Sequence, residues 1–246
     1  MPARMASTRF PGKPLAAETG RALVLHVADR AAMATLVDEV LVTAPDPEIL
    51  DVVRADGIEA IRTGEHPNGT SRLAEVVERL GDRIPPRSIV VNVQGDEPEI
   101  EPEAIDAVIR ALEADPGADM ATIASPWNPD HDPDDPSIVK VVVSTSGRAL
   151  YFSRARIPRV RDEADRSSGT GSLRRHVGLY AYRAEFLPRF AAWPEAPLER
   201  LERLEQLRVL EHGGAIAVAE FAAHGGGIDT ESQYRAFVER FRTAGA

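Results

Sequence analysis

Asp96 and Glu97 follow Gly95 where an apolar, β-branched run, Ile89-Val90-Val91-Asn92-Val93-Gln94, stops abruptly. A strand buried on both faces reads this way when its carboxyl end opens into a crevice. A carboxylate there suits a divalent cation carrying phosphates, since a hard ion takes oxygen ligands and Gly95 lets a ligand approach the backbone. A solvated strand-to-loop turn is the plain alternative. The chain also opens on a set of cations: Arg4, Arg9 and Lys13 precede the first acid, Glu18, and are interleaved with Ser7, Thr8 and Gly12. Arginine offers a forked donor and lysine a point charge, so Met1–Pro14 could cradle phosphates; a basic tail without fixed structure competes. No Walker A pattern is present.

Two further groups carry polar chemistry. Alternation over His176–Tyr182 puts His176, Gly178, Tyr180 and Tyr182 on one side of a strand, and Val177, Leu179 and Ala181 on the other. In Leu198–Glu211, read as one helix, Leu198, Leu201, Leu204, Leu207 and Leu210 form an apolar stripe. Glu202, Glu205 and Gln206 cluster at i, i+3 and i+4 on a different side, by default a solvated face.

The elements that must position these residues alternate. Helices are expected at Gly20–Ala34, at Pro47–Ala55, after His66–Arg72 and from Pro102, with strands at Glu39–Thr43, Ile58–Thr63, Ile89 onward and Met120–Ser125. That order implies an α/β fold with a mostly parallel sheet covered by helices on both faces. After Pro126 the pattern changes to an antiparallel insertion, with strands at Val139–Ser144 and Ala149–Ser153, a polar Gly/Ser-rich loop at Asp162–Leu173, and the His176–Tyr182 strand. Helices at Ala184–Phe190 and after Thr230 and a strand at Ala215–Glu220 complete the chain. No linker divides 1–246 into independent domains, so one domain with an insertion at about 137–183 is expected.

Composition narrows the classes. With 246 residues and no cysteine, disulfides and thiolate metal sites are excluded. A net charge of −10 argues against general nucleic-acid binding. No apolar run reaches the roughly 20 residues of a membrane span and no signal peptide opens the chain, which reads as cytoplasmic.

Taken in order, PARMASTRFPGKPL, NVQGDEP, VKVV, ALYFSRARIP, RHVGLYAYR, PLERLERLEQLRVLEHG and GIDT resemble the CMP-Kdo synthetase family, the 3-deoxy-manno-octulosonate cytidylyltransferases. The resemblance implies a glycosyltransferase-A-like fold, a homodimer, a magnesium requirement, and transfer of a cytidylyl group from CTP to the sugar acid Kdo for lipopolysaccharide synthesis. It assigns the insertion to sugar binding and dimerisation. It implies that Arg4, Ser7, Arg9 and Lys13 surround the nucleotide, that Gln94 lies near the cytosine, and that Asp96 and Asp229 hold the metal, with Lys13, Asp96 and Asp229 as the catalytic set. Arg154, His176, Tyr180, Glu205 and Gln206 are implied in the sugar pocket.

Three departures from the family pattern stand out. An acid expected directly after the threonine of the second strand is replaced by Ala44-Pro45, with Asp46 following. The segment His66-Pro67-Asn68-Gly69-Thr70-Ser71-Arg72 lacks the family's acid before the arginine. The family also has an apolar central strand just before Pro-Ala-Arg, where this chain begins. Losing about five buried side chains at roughly 1.5–3 kcal/mol each is comparable to a whole domain's ~5–15 kcal/mol, so a start short of the native one is expected. Readings kept open are the same chemistry on the amino analogue of Kdo or a sialic acid, and a nucleotide-binding pseudoenzyme.

Overall fold

Leu41–Ala44 (β1) and Glu59–Arg62 (β2) pair in parallel, from Leu41 opposite Glu59 to Ala44 opposite Arg62. Such a pair needs a crossover, supplied by helix α2 (Pro47–Ala55), whose Pro47 sits at the first helical position, where no backbone donor is needed. The computed structural model describes residues 1–162, 173–223 and 226–244; the loop expected at Asp162–Leu173 lies, between 163 and 172, outside them. The described chain forms two units. The first comprises Met1–Pro85, Val91–Asp106 and the described residues after Ala223; the second comprises Pro86–Val90 and Ala107–Ala223.

In the first unit Met1–Ala3 runs beside β1, with Ala3 N–H donating to Thr43 O at 2.9 Å and Thr43 N–H to Met1 O at 2.9 Å. α1 (Leu23–Ala32) buries Leu23, Val24, Val27 and Ala28. α3 (Gly69–Leu80) starts where the Asn68 side chain accepts from Ser71 N–H, an N-cap that meets one of the helix's orphan donors. α8 (Glu231–Ala244) packs Tyr234, Phe237 and Val238 on Leu23 and Ile228.

The second unit is built on β4 (Met120–Pro126), in which Met120, Ala121, Thr122, Ile123 and Ala124 are fully buried. β4 pairs in parallel with β8 (Ile216–Glu220) and antiparallel with β7 (Arg174–Arg183). β5 (Lys140–Val143) joins β7 antiparallel and also pairs with β6 (Ala149–Ser153). β3 (Ile89–Asn92), whose first two residues belong to this unit, pairs with β7 as well. α4 (Pro102–Ala114) begins in the first unit and ends in the second, and α5 (Phe186–Ala192) follows β7. The class is the α/β one expected, with a mixed sheet in this unit.

Two local expectations need correction. The alternation expected through β7 is interrupted by a bulge: Thr122 faces Tyr180, but its neighbour Ile123 faces Val177. Thr122 Oγ1, 2.9 Å from Leu179 O and 3.2 Å from Val177 O, occupies the carbonyls the ladder leaves there. The helix expected over Leu198–Glu211 is instead two short ones, α6 (Pro197–Glu202) and α7 (Leu207–Glu211), separated at Arg203, whose φ of 54° is left-handed. The Arg154 guanidinium takes Glu202 O at 2.8 Å and lies 3.5 Å from Arg203 O, the carbonyls a continued helix would give to Gln206 and Leu207. Leu201 is therefore 80% exposed rather than part of an apolar stripe.

Candidate active site

Gly12 adopts φ 73°, which turns the opening loop into a single 3₁₀ turn at Lys13–Leu15 and sends the Lys13 side chain inward. That side chain is 10% exposed; its Nζ donates to Asp96 Oδ2 at 2.7 Å and to Ile228 O at 2.6 Å. Burying an ammonium costs several kcal/mol unless it is paired, and here a charge and a carbonyl meet it. Ile228 N–H in turn donates to Asp96 O at 2.8 Å, so the Gly95-Asp96 turn and the Gly227–Asp229 segment are bonded through backbone.

Asp229 is placed by the start of α8. Gln233 Oε1 accepts from Asp229 N–H at 2.7 Å and Thr230 N–H at 2.9 Å, while Gln233 N–H donates to Thr230 Oγ1 at 3.3 Å. This reciprocal Thr-x-x-Gln box is local in sequence and fixes the carboxylate just before the helix. Arg9 Nη2 lies 2.8 Å from Asp229 Oδ1, both ends well exposed. The Phe10 ring packs 5.4 Å from Tyr234, which ties the middle of the loop to the core.

These groups surround a cavity of about 660 Å³ in the first unit. All seven residues implied for the nucleotide and metal line it: Arg4, Ser7, Arg9, Lys13, Gln94, Asp96 and Asp229. His66, Asn68, Gly69 and Arg72 line it too, and the sequence reading did not place them there. Their signals were a polar stretch containing a helix cap and the likeness of His66–Arg72 to a family segment. Arg72 is buried, with Nη1 donating to Thr63 Oγ1 at 2.6 Å, and burial holds its pKa below the ordinary arginine value. Gly95 has a different role from the one expected of it. A Cβ there would stand 2.9 Å from Pro2 O, so its missing side chain admits the neighbouring chain segment rather than leaving space only for a ligand.

The five residues implied for the sugar lie in the second unit. The His176 and Tyr180 rings are neighbours at 5.5 Å, with Phe152 edge-on to His176 at 4.9 Å. His176 Nε2 lies 3.0 Å from Thr122 Oγ1, and burial pushes the imidazole pKa down to about 3. Burial first, then Tyr182 and the Glu205 charge, raises the Tyr180 phenol well above its usual range. Glu205 and Gln206 sit in the break between α6 and α7 rather than on one helix side. Gln206 is 3% exposed and its Nε2 has no hydrogen-bond partner among the described residues. Arg154 spends its guanidinium on the Glu202, Arg203 and Pro136 carbonyls, shaping that same turn.

Two carboxylates and a cationic loop on one cavity of an α/β scaffold suit a nucleotidyltransferase, and the chain's relatives place it in that class. A cytidylyltransferase family model matches residues 1–217. The 3-deoxy-manno-octulosonate cytidylyltransferase of Anaeromyxobacter dehalogenans is 51% identical over 231 residues, covering 94% of this chain and 91% of that protein. The enzyme of the same name from Syntrophotalea carbinolica is 47% identical over 235 residues, covering 94% and 92%. A solved CMP:2-keto-3-deoxy-manno-octonic acid synthetase complexed with CTP superposes with a TM-score of 0.89 at 37% identity, covering 99% of this chain and 97% of that one. The chain belongs to the cytidylyltransferase family, among its 3-deoxy-manno-octulosonate cytidylyltransferases.

Proposed function

We propose that this protein transfers the cytidylyl group of CTP to Kdo, giving CMP-Kdo and pyrophosphate. The observation that carries the reading is Lys13, buried between Asp96 and the Ile228 carbonyl at the wall of a cavity that also holds Arg4, Ser7, Arg9 and Asp229. A triphosphate entering this cavity exchanges carboxylate partners for phosphate oxygens on Lys13 and Arg9, so little reorganisation is needed. The anomeric hydroxyl oxygen forms a bond to the α-phosphorus as the bond to the bridging oxygen breaks. Pyrophosphate leaves in line and the hydroxyl proton is released. Both reactants are anionic, so catalysis needs cations and alignment more than a strong base.

The donor set suits magnesium. Among the described residues no group of three or more His, Cys, Asp or Glu could cage a metal, and two hard carboxylates on one cavity match an ion that takes its remaining ligands from phosphate and water. Asp96 and Asp229 would hold it, and when bound it supplies charge neutralisation and a lower pKa for the attacking hydroxyl. Gln94, whose Nε2 donates to Asn92 Oδ1 at 3.2 Å, is assigned to the cytosine. His176, with its low pKa, binds the sugar as a neutral imidazole, alongside Tyr180, Glu205, Gln206 and Arg154.

The product feeds lipopolysaccharide synthesis, and the enzyme acts as a homodimer in the cytoplasm; no helix among the described residues is long and apolar enough to cross a membrane. The test is pyrophosphate release from CTP, with and without magnesium, using Kdo, its amino analogue and a sialic acid as acceptors. Release that is strongest with Kdo and needs magnesium is expected. CTP binding without turnover on any acceptor refutes the assignment.

A further inference from the structure

Beyond Ala3 the chain leaves the side of β1 and runs as the loop that carries Arg4, Ser7 and Arg9 into the cavity. Within that loop, Gly12 N–H donates to Met5 O at 3.4 Å and Phe10 N–H to Ser7 Oγ at 3.2 Å, both internal. Between Arg4 and Pro11, Phe10 O accepts from Lys13 N–H at 3.3 Å at the start of the 3₁₀ turn, and Met5 N–H donates to Asp46 Oδ2 at 2.9 Å, the one backbone bond from this stretch to a residue beyond Leu15 among the described residues. Next to the sheet-bonded Ala3, the upstream end of the cationic loop is thus also held by a carboxylate that lies outside the cavity lining.

Asp46 stands at the N-cap of α2 with extended backbone (φ −83°, ψ 117°), yet its side chain makes no cap hydrogen bond. An aspartate at that position ordinarily accepts from its own helix's first turn, because those amides have no other partner. This one turns away from its helix and reaches the loop, 41 residues upstream. Ala44-Pro45 supply no acid, so Asp46 is the first carboxylate after β1 that can do so. It also acts electrostatically, as Arg4 does with opposite sign, on the buried Arg72 that lines the same cavity.

We propose that Asp46 is a positioning residue for the nucleotide, holding the Met5 amide so that Arg4 and Ser7 stand where a triphosphate meets them. The proposal rests on the cytidylyl-transfer reading of the cavity. Without this bond the Arg4–Ser7 segment, between the sheet-bonded Ala3 and the packed Phe10, must be ordered by each incoming nucleotide, and that ordering appears as lost affinity rather than as lost chemistry.

The test compares Asp46→Ala and Asp46→Asn with the wild-type protein in CTP calorimetry, steady-state turnover and thermal melts. Loss of a hydrogen bond to a charged acceptor predicts about a tenfold rise in Kd and KM for CTP in Asp46→Ala, with kcat within about twofold. Asp46→Asn keeps a carbonyl oxygen for Met5 N–H and is expected within about threefold of wild type, with both variants melting as cooperatively as the parent. Unchanged CTP affinity in Asp46→Ala overturns the proposal, as does a fall in kcat at constant KM or an Asp46→Asn variant as impaired as Asp46→Ala. Wild-type protein that binds no CTP overturns the underlying reading instead, which separates the two failures.

Discussion

Asp96→Asn tests the pair at the centre of the cavity, because it keeps shape and removes charge. In the native protein Lys13 Nζ sits 2.7 Å from Asp96 Oδ2, with the lysine side chain 10% and the aspartate 31% exposed. The substitution leaves the ammonium with Ile228 O and a neutral amide oxygen, so a charge-assisted bond becomes an ordinary one. Hydrogen bonds to charged groups are worth about 1.5–3 kcal/mol, and the partial exposure of Asp96 argues for the lower half, about 2 kcal/mol. For a chain of this size that lowers the melting temperature by about 4–8 °C. Turnover falls much further. In the proposed role Asp96 would hold the cation set against the transferring phosphoryl group, and such charge stabilisation is worth about 10²–10³ in kcat, so the variant is expected at or below about 1% of wild type in a pyrophosphate-release assay. Activity within about tenfold of wild type would refute the role given to Asp96. An unchanged melting temperature would refute the pairing with Lys13.

Asp229→Ala removes an exposed partner of Arg9, so stability is expected to change by less than about 0.5 kcal/mol while turnover falls at least tenfold; denaturant melts and the same assay separate the two. Gly95→Ala puts a Cβ 2.9 Å from Pro2 O, and overpacking against backbone is expected to cost about 1–3 kcal/mol and to weaken CTP binding, readable by melts and calorimetry. The depressed His176 pKa, about 3, has a definite sign. The fold favours the neutral ring, so its contribution is fully present above the unfolded pKa of about 6.5 and is lost as pH falls toward 3. Between pH 7 and pH 5 this costs the wild type about 2 kcal/mol, and His176→Asn is expected to flatten that part of the stability–pH curve. An identical slope in both proteins contradicts the burial of this ring.

Much of this molecule is written locally. The Pro47–Ala55 helix has matching bounds in sequence and structure, because proline at the first position and an apolar i, i+3, i+4 pattern are short-range signals. The same holds for β6 at Ala149–Ser153; the Thr230–Gln233 box that places Asp229 is equally short-range, although the sequence reading gave only a helix after Thr230. Part of the cavity lining was legible as residue types: cations, hydroxyls and an aspartate at a strand end.

Other features depended on partners distant in sequence. Asp96 and Ile228 meet through a backbone bond, and Lys13 spans a separation of 215 residues to reach the Ile228 carbonyl. The leucine periodicity of 198–211 favoured one helix, but Arg154, brought beside it by β6, competes for the carbonyls that would have continued it. The β7 bulge likewise follows from a threonine hydroxyl on the facing strand. The sequence by itself determined most of the elements, the charges and the kind of chemistry. Which carbonyl, carboxylate or glycine each cation finally met was decided by the tertiary structure, since a hydrogen bond is won by whichever acceptor the fold brings within about 3 Å.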